Sequence, residues 1–377
     1  MPLDYETLRV IWWLLLGVLL IGFAVMDGFD LGALMWLPWL ARTDVERRVI
    51  INAIGPTWEG NQVWFILGGG AIFAAWPSLY ALSFSGFYIA MFLVLLALIL
   101  RPVGIKYRSK IDAPQWRMGW DIALFISGFV PTLIFGVAVG NVLQGVPFHF
   151  DDSLRVFYTG TLLELLNPFA LLCGLTSVFM LGMQGAYFLN VKTEGHLQQR
   201  VTMAGKVCGI SLIFAFLIAG FFLNNDIDAY LLTSALPHDG PSNPLYKSVI
   251  RGSGWLTNFV SAPLWLIAPV MGFVAPLIAI LAASKAKLAF VFSSLSVIGV
   301  IATVGLSMFP FILPSSSHPE QSLTVWDSSS SQFTLSIMLF ATVIFLPMIL
   351  AYTAWVYRIL RGKVTVDTIT KHQNTLY

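Results

Sequence analysis

Nine apolar runs of membrane-crossing length recur along this chain, and they leave it few folds. Lipid offers no hydrogen bonds to the backbone, so a spanning segment must satisfy its own N–H and C=O groups as a helix. The runs lie near 8–38, 58–76, 79–100, 120–143, 161–190, 204–223, 258–282, 288–312 and 333–357. About 20 residues suffice for an average bilayer. With 11% charged residues against 29 Phe and 13 Trp, the 377 residues leave no room for a large soluble domain. The net charge of +2 gives no sign of a nucleic-acid partner. No low-complexity linker divides the chain, so 1–377 reads as one all-α membrane domain. Helices 1–4 and 5–8 are expected as two four-helix bundles, with the ninth helix peripheral.

The first run resembles a secretory leader only in hydropathy. Asp4 and Glu6 precede it where basic residues belong, and no small-residue cleavage site follows, so it is expected to remain as helix 1. Cys173 and Cys208 both lie within apolar runs, which provides neither a disulfide framework nor metal-type spacing. Small residues such as Gly17, Gly22 and Gly86 suit close helix approach.

Charge sets the orientation. Lys and Arg gather in five segments: Arg42 to Arg48, Arg101 to Arg117, Lys192 to Lys206, Lys285 with Lys287, and the tail from Arg358 to Lys371. Basic loops favour the cytoplasm. The first two segments share that side only if two crossings separate them, so 58–76 must span although Gly68-Gly69-Gly70 weakens it. The N-terminus is then outside and the C-terminus cytoplasmic. Ser328 to Ser331, in the last outside loop, read as a turn and helix cap rather than a reactive site.

Of the ionisable residues within or at the ends of spans, four matter most: Asp27, Asp30, Glu59 and Arg101. A charge at the bilayer centre costs at least about 2.5–3.5 kcal/mol on insertion scales, so such residues face protein or water and take partners. Asp27 and Asp30 share a helix face if helix 1 continues to Pro38. All four positions fall in the cytoplasmic half, where clustered acids can accept and pass protons. Each also has a structural reading. Asp27-Gly28 is a turn signal, and Asp30 can cap a short interfacial helix. Glu59 sits where a helix dipole stabilises a carboxylate, and Arg101 can anchor at the interface. Arg101 and Trp58 are the candidates for tuning or anchoring the cluster. Glu164, before Asn167-Pro168, reads as a dipole-stabilised carboxylate in the first turns of helix 5.

His149, His196, His238, His318 and His372 all fall in loops or the tail. A membrane cytochrome takes axial ligands from inside its bundle, most often paired His, so a b-type haem in this chain is not expected. No phosphate-binding loop and no nucleophile with an adjacent base is present.

Several stretches carry a family resemblance over essentially the whole length. They include GFAVMDGFDLG at 22–32, TWEGNQVW at 57–64, SGFYIAM at 85–91, RPVG at 101–104 and YRSK at 107–110. GNVLQGVPF at 140–148, MFPFILPSSS at 308–317 and LTVWDSSSSQ at 323–332 continue the series. With these motifs the chain resembles subunit II of cytochrome bd-type ubiquinol oxidase. Aspartate is common in that family where Glu59 stands; Glu keeps the charge and moves the carboxylate outward by one methylene.

The resemblance implies a haem-free subunit II in the bacterial cytoplasmic (inner) membrane. Its partner would be a haem-bearing subunit I with haem b and haem d, and small single-helix subunits are further candidates. Such a complex oxidises quinol, reduces oxygen to water and draws protons from the cytoplasm. Its proton path carries over onto Asp27, Asp30 and Glu59. Some members also bind a structural ubiquinone, for which no residue follows here. The alternative from residues alone is a proton-coupled secondary transporter, which would place its acids in a midplane cavity between inverted repeats.

Overall fold

The computed structural model describes residues 3–371 except Ser253, so His372 lies outside the described residues. Among the described residues, eight helices are long and apolar enough to cross a membrane, and the chain is an all-α membrane protein.

The first helix, α1 (Tyr5–Leu40), is capped by the Asp4 side chain, which accepts from the Thr7 N–H. It runs unbroken through Asp27-Gly28, so the turn reading of that pair is overturned. Thr43 and Glu46 then form a reciprocal capping box that starts α2 (Asp44–Ile54) along one end of the bundle. Next come α3 (Trp58–Ala75), α4 (Pro77–Gly86) and α5 (Tyr88–Tyr107). The expected single span at 79–100 is therefore corrected. Trp76 leaves helical geometry before Pro77, and a second break at Phe87 separates the short α4 from the crossing helix α5.

The chain continues with α6 (Pro114–Gln144), the hairpin β1 (Phe148–Phe150) and β2 (Val156–Tyr158), and α7 (Pro168–Lys192). Residues 161–167 are turn rather than the start of a span. Pro168 suits the first helical position, and the Asn167 side chain caps the Ala170 N–H. Glu164 consequently lies in a one-turn 3-10 helix ahead of α7 and accepts from the Thr161 N–H at 3.0 Å. Then follow α8 (Gly195–Asn225), the hairpin β3 (Ala229–Leu232) and β4 (Val249–Gly252), and the short α9 (Thr257–Ser261). The last part comprises α10 (Ile267–Leu281), α11 (Ala286–Met308), β5 (Phe311–Leu313), β6 (Leu323–Thr324), α12 (Gln332–Ile359) and α13 (Val366–Lys371). The run expected to end at 312 leaves the helix at Met308, because 311–313 pairs with β6. Ser331 caps α12, accepting from the Thr334 N–H, as the serine run suggested.

The run expected to span at 58–76 forms α3, 18 residues long, but Glu59, Asn61 and Gln62 dilute its apolar character and it is not among the eight helices apolar enough to cross. It runs antiparallel beside α1. Asn61 meets Asp30, the Trp64 ring covers Gly22, and Gly68 sits over Leu20. Its far end is tied by the Ser330 N–H to Ala75 O at 2.8 Å. That far end is also where the chain begins: Tyr5 donates to Ser330 O at 2.7 Å, and Arg9 to His238 O at 2.5 Å. The C-terminal segment sits at the opposite end, where Lys192 donates to Leu360 O and accepts on its own carbonyl from Val364.

The helices group as α1, α3, α5 and α6 on one side and α7, α8, α10 and α11 on the other, joined where α1 and α6 meet α7. That seam is tight. A side chain at Gly32 would overlap the backbone of Leu181 and Gly185, and one at Gly136 on α6 would overlap Cys173 O on α7. Gly22 and Gly86 also have covering neighbours, the rings of Trp64 and Tyr158, whereas Gly17 faces open space. Helix α12 rests on α1 and α3 at the edge, with Leu335 as its buried residue.

Candidate functional site

The continuity of α1 puts Asp27 and Asp30 on one face, turned into the bundle, and both are buried. Opposite them α5 presents Arg101, also fully buried. Its two terminal nitrogens donate to the two oxygens of Asp27 at 2.5 and 3.1 Å, a bidentate pair. The guanidinium lies 5.6 Å from the centre of the Trp58 ring, within cation–π range. Trp58 and Arg101 thus close one wall of the cluster.

Asp30 is held differently. Asn61 Nδ2 donates to its Oδ2 at 2.7 Å, and Tyr357 on α12 donates its hydroxyl to Asn61 Oδ1 at 2.7 Å. Oδ1 of Asp30 has no hydrogen-bond partner among the described residues. The two acids therefore differ in kind: Asp27 is saturated by a cation, while Asp30 keeps one oxygen open.

Glu59 does not join them. Its side chain is 65% exposed and meets Lys106 Nζ at 3.4 Å. An exposed pair of that type contributes only about 0–1 kcal/mol. It stands at the surface two residues before Asn61, in the first turn of α3.

Asn61 and Tyr357 were not anticipated. Asn61 lies within the GNQVW stretch that drew attention to Glu59, but a neutral amide attracts no notice on charge grounds. Tyr357 sits in an apolar run 296 positions away and carries no local signal.

A second charge network, also unforeseen, braces the same end of the bundle. Arg108 donates to Asp121 at 2.5 and 3.1 Å and lies 3.0 Å from Asp44. Arg47 reaches Asp121 at 2.8 Å, and Arg117 reaches Asp44 at 2.9 Å. These pairs tie α2 to the end of α5 and the start of α6. At the far end, Lys247 is buried against Asp327 at 2.7 Å. Burial pushes the Lys247 ammonium below its ordinary range, and the Asp327 charge pulls it back in part.

Haem would need imidazole or thioether ligands inside the bundle. The described histidines lie in β1, at the first turn of α8 and in the loops that hold His238 and His318. None projects from the middle of a span, so a haem held by paired imidazoles finds no ligands inside the bundle among the described residues, where methionines such as Met180 and Met183 are the thioether donors. Among the described residues no group of three or more His, Cys, Asp and Glu converges.

The family described as cytochrome bd terminal oxidase subunit II matches residues 8–360. The chain is 51% identical over 378 residues to the Escherichia coli protein named cytochrome bd-I ubiquinol oxidase subunit 2, covering 100% of each. It is 31% identical over 363 residues to the Bacillus subtilis protein named cytochrome bd ubiquinol oxidase subunit 2, covering 95% of this chain and 97% of that one. A chain in the structure of bd oxidase from Geobacillus thermodenitrificans superposes with a TM-score of 0.63 at 14% identity. The superposition covers 94% of this chain and 98% of that one, a shared fold.

Proposed function

Because the chain belongs to the cytochrome bd terminal oxidase subunit II family, we propose that its buried acids form a proton-access route within a quinol-oxidising complex. The coarser statements need no proposal: it is a multi-pass protein of a bacterial inner membrane and a subunit of a bd-type quinol oxidase. The finer reading adds that the complex oxidises quinol, reduces oxygen to water and takes the protons for that reduction from the cytoplasm. The end rich in Arg and Lys is assigned to the cytoplasm on the positive-inside rule.

In this route Glu59, exposed at the basic end, collects protons. Asp30 carries them inward. Asn61 occupies Oδ2 of Asp30, so a carried proton resides on Oδ1, the oxygen left without a partner. That open oxygen is the observation that carries the reading. Asp27 plays a different part. Locked to Arg101, it supplies a fixed ion pair beside the carrier. Haem in a partner subunit I would supply electron transfer and oxygen reduction. This chain would supply the route and a helical scaffold for that partner. A bound ubiquinone and small single-helix subunits remain compatible additions without assigned residues.

A transporter gains no support, because the full-length relatives are named as oxidase subunits and the buried acids lie toward one end of the bundle. The test of the relay is quinol-driven oxygen uptake by an Asp30→Asn complex, read against its haem content. Loss of uptake with haem retained supports the relay, and wild-type uptake refutes it.

A further inference from the structure

His149 and His318 meet at the end of the bundle where the chain begins, far from the acids, and the proton route makes no use of them. His149 is the middle residue of β1, between the buried Phe148 and Phe150, so strand alternation turns it to the opposite, more open face. The loop carrying His318 is bound to the same strand. Phe148 O accepts from Ser315 Oγ at 2.5 Å and from Ser317 Oγ at 2.8 Å, and the His318 N–H donates to Ser315 Oγ at 3.1 Å. These bonds fix the two imidazoles as neighbours, with ring centres 5.1 Å apart and planes inclined at 39°. The His149 ring also lies flat against Phe157, 5.3 Å away.

A pair of imidazoles on the surface is often no more than a stacking contact. Here the separation carries further information. A Zn–N bond is about 2.0–2.1 Å and the ring centre lies about 1.1 Å beyond the nitrogen, so each centre falls roughly 3.2 Å from the metal. Two such ligands at a tetrahedral angle have ring centres about 5.2 Å apart. The observed 5.1 Å matches that span. Imidazole torsions about Cβ–Cγ are broad, so the nitrogens can converge without moving the backbone. His318 Nδ1 lies 3.2 Å from Ser317 Oγ. A proton on Nδ1 donated there leaves the Nε2 lone pair free, the usual outer support of a metal-binding histidine. Among the described residues, the His149 ring meets Phe157 and His318 and makes no hydrogen bond that would compete.

We propose that His149 and His318 form a binding site for a divalent transition metal, Zn²⁺ in the first place. No third protein ligand converges among the described residues, so water completes the coordination and the metal exchanges. Bound there, it joins β1 to the connection between β5 and β6. The site stands apart from the oxidase reading and does not depend on it.

The test is Zn²⁺ titration of the detergent-purified complex against a chromophoric chelator, with wild type, His149→Gln, His318→Gln and the double variant. Zn²⁺ held elsewhere on the complex is common to all four and cancels in the difference. The expected result is one Zn²⁺ per complex whose affinity falls at least about tenfold in each single variant, the loss seen even when only a ligand's outer partner is removed. The double variant should lose no more, because one imidazole alone does not chelate. Melting of the variants without Zn²⁺ should match wild type, and Zn²⁺ should raise the melting temperature of wild type alone. Equal Zn²⁺ binding by wild type and double variant overturns the site, and so does a wild type that binds none.

Discussion

Arg101 on α5 holds Asp27 on α1 through both terminal nitrogens, and neither side chain is open to solvent. Removing one partner of such a pair leaves an uncompensated buried charge, which costs about 3–5 kcal/mol, more than the pair itself contributes. Arg101→Gln and Asp27→Asn are therefore each expected to reduce the accumulation and melting temperature of the complex, and the double variant to be milder than either single one. Thermal melting of the three purified complexes checks this. Singles as stable as wild type would show that the pair does not hold α1 to α5. It follows that Asp27→Asn is a poor probe of proton transfer, since lost activity there mixes chemistry with folding.

Tyr357 links the edge helix α12 to the acids through Asn61. Tyr357→Phe removes the hydroxyl and little else, and a hydrogen bond of this kind contributes about 0.5–1.5 kcal/mol. Freed from Tyr357, the Asn61 amide no longer has a fixed orientation toward Asp30. Turnover is expected to fall several-fold with the quinol KM unchanged and the pH–rate profile displaced. Steady-state kinetics across pH check it, and an unaltered profile would make the hydroxyl a packing contact.

The long spans were legible because hydropathy reports burial in lipid directly. What hydropathy does not report is direction. The break at Trp76 fell between the expected runs 58–76 and 79–100, but the second break, at Phe87, lies inside an unbroken apolar run, and residues 311–313 are apolar as a strand. The acids were legible one by one, because charge in an apolar run stands out. Their division of labour was not. Whether Arg101 took Asp27 or Asp30, and whether Glu59 was buried, depended on how α3 and α5 lie against α1. Asn61 and Tyr357 act through hydrogen bonds between distant segments, a relation that no local spacing encodes.

The seam between the two helix groups makes a mechanical prediction. A Cβ at Gly32 would collide with the backbone of Leu181 and Gly185 on α7. Backbone yields less readily than a side chain, so Gly32→Ala is expected to cost at least about 1–3 kcal/mol and to lower the yield of folded complex. Gly17→Ala, on the same helix but facing open space, should leave yield and melting unchanged. Equal yields from the two would place the seam elsewhere.

The sharpest expectation concerns Asp30 and Glu59. Asp30 is buried with one oxygen unpartnered, and Glu59 is exposed two residues before the amide that binds Asp30. Asn and Gln nearly preserve shape while removing the ionisable group. Positioned proton transfer contributes typically about 10²–10⁴ to a rate, so Asp30→Asn is expected to slow quinol-driven oxygen uptake by at least about tenfold. Glu59→Gln should cost less, because an exposed collector is partly replaced by water, and Glu59→Asp should retain most of the activity. Haem content should remain near wild type in all three, since the haems are expected in the partner subunit. Oxygen consumption and the reduced-minus-oxidised spectrum, measured on the same preparations, separate the outcomes. A slow Asp30→Asn complex with full haem supports a carrier at Asp30. Full uptake in Asp30→Asn would end the relay reading, and full uptake in Glu59→Gln as well would reduce both acids to structural groups.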